Sequence, residues 1–201
     1  MSTAVKPTRA DTREERAFRM ISGHRALDLL ATLRDRHRRP LECLREPADL
    51  DRWLTVAGLR LPARATDRDV ADARRLREAI DGVARAQLAS VAPDADAIRE
   101  LNEWARRRPL APQIDRRLRQ KWSSDDPVQA ALALLAREAI ELLTGPERTL
   151  LRECGAAPDC SRLYLDRSRG RRRRWCQMEW CGSQAKMAAY RQRRKGAAPT
   201  P

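Results

Sequence analysis

Cys154-Gly-Ala-Ala-Pro-Asp-Cys160, followed after fifteen residues by Cys176-Gln-Met-Glu-Trp-Cys181, is the stretch on which the reading of this chain turns. Two close cysteine pairs separated by a hairpin-sized insert are what a tetrahedral thiolate site needs. Each pair closes a small loop, and the insert brings the loops together. The segment is far too short to bury a core unaided, so a structural Zn²⁺ would supply its folding free energy, roughly 10 kcal/mol or more. Four thiolates leave no position for water, which makes the expected metal structural rather than catalytic. Cys154, Cys160, Cys176 and Cys181 are the expected ligands of one Zn²⁺. Two disulfides, or scattered free thiols, are the competing readings.

Inside the insert, Leu163-Tyr164-Leu165 reads as a strand, residues 166–170 as a turn, and Arg171 to Trp175 as the returning strand. A helix over 183–195 follows, with Met187 and Tyr190 turned toward the knuckle. From Arg152 to Lys195 there are 13 Lys and Arg against four Asp and Glu, a large share of the chain's net charge of +14. Only four of the 42 basic residues are lysine, so arginine is favoured everywhere, and the regional surplus is the informative quantity. It points to a polyanionic partner. Arg171, Arg172, Arg173, Arg174, Lys186, Arg191, Arg193 and Arg194 are the expected phosphate contacts. Four of the eight aromatic residues (Tyr164, Trp175, Trp180 and Tyr190) lie here, Trp175 as part of a small core around the metal or, as the alternative, a platform for stacking on exposed bases.

Upstream, apolar residues recur at helical spacing. Helices are expected over 23–34, from Pro47 to Gly58 (Leu50, Trp53, Leu54), and over 67–89 (Ala73, Leu76, Ile80, Val83, Ala84, Leu88). A further helix starts at Pro93-Asp94, with Ile98, Leu101 and Ala105 inward. Asp126-Pro127, a cap residue followed by proline, opens another, which Thr144-Gly145-Pro146 ends. Between them, Pro109 and Pro112 disfavour helix, and Leu110 to Trp122 reads as a two-stranded hairpin. The expected fold is mostly α: a helical domain at 18–146 with one small β-hairpin, then a ββα-like four-cysteine zinc finger at 150–195. Residues 1–17 are expected to form a disordered arm and 196–201 a tail. Cys43 stands alone and reads as a small buried hydrophobe.

The polar start without an apolar core, the lack of membrane-length apolar runs and the clustered cysteines together predict a cytoplasmic protein that does not enter membranes. No Gly-rich phosphate loop and no nucleophile beside a base are found, so an enzyme is not expected.

The segment from Cys160-Ser-Arg-Leu-Tyr-Leu-Asp166 through Arg174-Trp175-Cys176 to Cys181-Gly182 and Lys186 resembles the CGNR zinc finger of bacterial stress-induced transcription regulators. It departs where the family name places Asn-Arg, carrying Ser183-Gln184 instead. Leu27-Asp28-Leu29-Leu30-Ala31-Thr32, Pro47…Trp53-Leu54 and Leu142-Leu143 are similar to the ABATE domain that accompanies this finger, with Leu29 and Ala31 in place of its aromatic and Asn. The resemblance implies a transcriptional regulator that binds DNA through the finger, with a small-molecule effector at the front domain. His24, Asp28 and Thr32, four residues apart on one helical face, are the candidate effector residues. The alternative is a zinc-stabilised module that binds protein or RNA without specific DNA recognition.

Overall fold

The computed structural model describes residues 18–157 and 159–196, so the expected arm at 1–17 and the tail after 196 lie outside the described residues, as do the side chains of residues 192 and 194–196. Six helices and three two-stranded sheets are found among the described residues.

The longest helix organises the front domain. α3 (Asp67–Ala89) starts with a reciprocal cap: Thr66 Oγ1 accepts from the Asp69 amide at 3.3 Å, and Asp69 Oδ2 accepts from the Thr66 amide at 2.8 Å. Such boxes satisfy donors a helix start leaves bare. The helix stops at Ser90 in the left-handed region, φ 56°. Against its buried stripe pack α1 (Arg25–Leu30), α2 (Pro47–Val56), α4 (Ala95–Arg106) and α5 (Pro127–Thr144). α5 carries the expected Asp126 cap and Pro127 at its first turn. Ala131, Leu132, Ala133, Leu135, Ala136 and Ala139 are its fully covered residues.

Four local expectations need correction. α1 is one and a half turns, not three: the chain turns at Ala31 and pairs β1 (Leu33–Arg34) with β2 (Leu41–Glu42), a hairpin too short to show periodicity. On α4 the inward residues are Leu101 and Trp104, while Ile98 is exposed. Leu88, at the end of α3, is exposed as well. Cys43 is buried, as expected, and burial raises its thiol above the ordinary value.

One buried cation ties these pieces together. Arg77 on α3 donates to both Glu42 carboxylate oxygens at 2.7 Å, to Glu78 at 2.8 Å and to Thr32 Oγ1 at 3.1 Å. It joins β2 and the end of α1 to the central helix.

The hairpin expected over 110–122 is present as β3 (Ala111–Ile114) and β4 (Gln120–Ser123), with Ile114 opposite Gln120. It stands away from the helices, anchored at its foot by Trp122, whose indole N–H donates to the Gly58 carbonyl at 3.3 Å.

The fourth correction lies in the finger. Its two strands are β5 (Leu151–Glu153) and β6 (Leu163–Leu165), antiparallel with Leu151 opposite Leu165. Arg171 to Trp175 is not a strand. β6 has β5 on one side and Ser22 on the other, where the Leu165 amide donates to the Ser22 carbonyl at 2.8 Å. No edge is left for the arginine segment. The alternation of a strand then divides the finger: Leu151, Leu163 and Leu165 join the core of the helical domain, while Tyr164 faces the cysteines.

A four-cysteine metal centre and its basic surround

Cys154 follows β5 directly, and its amide donates to the Arg162 carbonyl at 3.0 Å, closing the first knuckle around Cys160. Gly155 is required there. Its amide donates to the Arg174 carbonyl at 2.7 Å, and a Cβ would lie 2.8 Å from that oxygen. This contact draws Cys176 across the first loop. The second knuckle closes through a π-helical turn, Met178–Gly182, which delivers Cys181 and runs into α6 (Ser183–Gly196).

All four Sγ atoms lie within 4.8 Å of one another, with Cys160–Cys176 at 3.8 Å and Cys176–Cys181 at 3.7 Å. Tetrahedral Zn²⁺ with Zn–S near 2.3 Å requires S–S edges of about 3.8 Å. A disulfide requires about 2.05 Å, and all four thiols are free. The set fits a single structural zinc, as expected. The Cys176 amide points at the Cys154 sulfur from 3.4 Å, a donor that favours the thiolate form a metal ligand requires.

The shell around the cysteines is built mostly from side chains of the insert. Asp166 is fully buried and accepts from Ser168 Oγ at 2.6 Å, the Ser168 amide at 3.0 Å and the Arg173 amide at 2.9 Å. The Ser168 hydroxyl, foremost, keeps its carboxyl below the usual aspartate range. Tyr164 donates to the Arg173 carbonyl at 2.5 Å, and burial pushes its phenol up to about 12. Trp175 packs against the cysteine cluster.

The expected phosphate contacts divide into two sets. Arg173 is engaged inside the finger: it donates to the Trp175 and Cys176 carbonyls and stacks over Tyr164 at 4.8 Å. Arg171, Arg172, Arg174, Lys186, Arg191 and Arg193 are exposed, as is Arg169, which sequence reasoning passes over. None of these seven forms an ion pair or hydrogen bond through its side chain among the described residues, Arg174 only lying over Trp175 at 5.1 Å. Arg194 belongs to α6, but its side chain lies outside the described residues. Ser183 and Gln184 open α6 on the exposed side of the knuckle. Met187 and Tyr190, with Met178 and Trp180, are half-exposed.

The three candidate effector residues are not gathered into one site. His24 caps α1, accepting from the Ala26 amide at 3.3 Å, and burial lowers its imidazole below the ordinary value. It lines a cleft of about 410 Å³ with Arg25, Glu138, Glu141 and Glu147. Asp28 is buried elsewhere, accepting from the Ile21 and Ser22 amides at 3.1 and 2.9 Å. Arg162 of the finger reaches it at 3.5 Å and donates to Ser22 Oγ at 3.0 Å. Burial raises the Asp28 carboxyl above the ordinary value, against the pull of these donors. Thr32 is buried under Arg77. Arg162 is a residue that the sequence does not single out; its only hint is its place two residues after a ligand.

A helical domain closed by a four-cysteine finger is thus the class of protein in hand. Residues 23–146 match the ABATE family, described as "Putative stress-induced transcription regulator", and residues 151–194 match the CGNR zinc finger. The chain belongs to the ABATE family and carries a CGNR zinc finger at its C-terminal side. No curated protein matches it. Among the described residues no helix is long and apolar enough to cross a membrane.

Proposed function

We propose that this chain is a bacterial cytoplasmic transcription regulator that holds duplex DNA with its zinc finger and performs no catalysis. The observation that carries the reading is the set of seven cations around the four-cysteine site that are exposed and unpaired among the described residues. A helix leaving a metal knuckle with Lys186, Arg191 and Arg193 exposed can follow a groove and neutralise phosphates. The four-thiolate centre holds the scaffold and has no open coordination position for chemistry. An effector of the front domain would enter at the cleft beside His24, since Asp28 and Thr32 are committed inside the fold.

The half-exposed Met178, Trp180, Met187 and Tyr190 favour the competing reading, a protein- or RNA-binding module. Fluorescence anisotropy of the zinc-loaded chain with duplex DNA, titrated across salt, separates the two. Each phosphate contact adds about 0.9 to the slope of log affinity against log salt. A steep slope supports the DNA reading, and a flat one or no binding rejects it.

A further inference from the structure

The β3–β4 ribbon is built around a residue in the wrong conformation for its type. Leu118 has φ 57°, in the left-handed region, at the position of a three-residue hairpin loop where glycine is the usual choice. A leucine there works against its own backbone. Its side chain gains nothing in return from the fold, being 81% exposed, with Ile114 beside the turn 67% exposed.

The turn is nevertheless firmly made. The Leu118 amide donates to the Asp115 carbonyl at 3.0 Å, and the Asp115 amide to the Arg119 carbonyl at 3.0 Å. The Asp115 carboxylate accepts from the Arg117 and Arg119 amides at 2.8 and 2.9 Å and pairs with the Arg119 guanidinium. The one acid of the turn is therefore neutralised within it. Arg116, Arg117 and Lys121 stay exposed and unpaired among the described residues. At the foot of the ribbon, Lys121 and Arg60 line a cleft of about 470 Å³. An ordered tip that presents one apolar side chain between free cations is complementary to a polyanion with an apolar interior. Strained exposed positions of this kind are kept for what they touch.

We propose that the β3–β4 ribbon is a second DNA contact, entering the minor groove with Leu118 as a wedge between base pairs and Arg116 and Arg117 on the flanking phosphates. Apolar side chains inserted in this way unstack a base step and bend the duplex. The partner class is that of the finger, so the proposal rests on the DNA reading for its occupant and on the ribbon's own geometry for its place. α5 separates the two surfaces, with the ribbon before its first turn and the finger after its last. Its 18 residues span roughly 27 Å, under one helical turn of DNA, about 34 Å.

The test uses the full zinc-loaded chain and a duplex of about 30 base pairs carrying a dye at each end. Anisotropy across salt gives affinity and slope, and energy transfer between the dyes gives the bend. Leu118→Gly relieves the turn and keeps the chain folded, as its melting temperature will show, yet it should abolish the bend. Arg116→Ala with Arg117→Ala should lower the salt slope by about two. If both ribbon variants bend and bind as the parent does, while Lys186→Ala with Arg193→Ala weakens binding, the ribbon proposal is overturned and the finger reading stands. Ribbon variants that lose binding beside a finger variant that keeps it would support the ribbon and overturn the finger reading. A parent chain that ignores duplex DNA, or prefers anionic vesicles, overturns both.

Discussion

At the scale of single residues, the functional chemistry divides into what is committed inside the fold and what faces outward. Arg77 is the clearest committed charge. Removing one partner of a buried ion pair costs about 3–5 kcal/mol, so Arg77→Ala should lower stability by that order in chemical denaturation. A loss below about 1 kcal/mol would mean that Glu42 and Thr32 rehydrate freely. Asp115 makes the opposite case on an open turn. The Arg119 amide, first among its donors, holds its carboxyl below the ordinary aspartate value. A depressed carboxyl stabilises the turn above the unfolded pKa, and that contribution is lost as pH falls through the folded one. The Arg117 and Arg119 amide resonances should therefore titrate together, with a midpoint under the usual aspartate value; a midpoint at or above it would contradict the turn geometry. The four cysteines were legible because ligand chemistry is local to their spacing. The division among the arginines was not, since nothing in a run of four identical residues says that the third one folds back onto Cys176 and Tyr164.

At the scale of elements, long periodic helices could be read directly, and short strands could not. α3 and α5 repeat their apolar pattern over several turns, and their caps are local. β5 is three residues, and its pairing depends on Ser22, far upstream, having already taken the other edge of β6. The Leu163-Tyr164-Leu165 run was recognisable as a strand, but its partner was a tertiary matter. The β3–β4 ribbon was visible as a hairpin from its prolines, while the left-handed φ of Leu118 has no signature in the sequence. Relieving that φ should stabilise the fold: Leu118→Gly is expected to gain up to about 1 kcal/mol, less the added freedom of glycine in the unfolded chain. A destabilisation of that size would show that Leu118 packs against something in the fold.

At the scale of the whole molecule, the sequence suggests two parts, and their common core complicates that division. Leu151, Leu163 and Leu165 lie in the same apolar cluster as the helices. Arg85 reaches across to Glu153 at 2.6 Å and to the Ser161 carbonyl at 2.8 Å, and Arg162 reaches Asp28. Two separable parts would leave the helical domain melting unchanged after Cys176→Ser. The continuous core leads to a different expectation: Cys176→Ser, or chelation of the metal, should shift one cooperative transition downward. A loss of about 5 kcal/mol corresponds to roughly 10–20 °C for a chain of this size. Two transitions, the upper one unmoved, would show that the seam of leucines is only a contact.

That seam also bears on how long the protein lasts in a cell. A finger that folded alone could lose its ion and wait, silent but intact, for another. If the shared core melts as one unit, a chain without metal would uncover three leucines and a buried arginine–aspartate contact, the kind of surface that proteases and chaperones remove from circulation. The number of copies present, and not only the fraction able to bind, would then follow the supply of zinc.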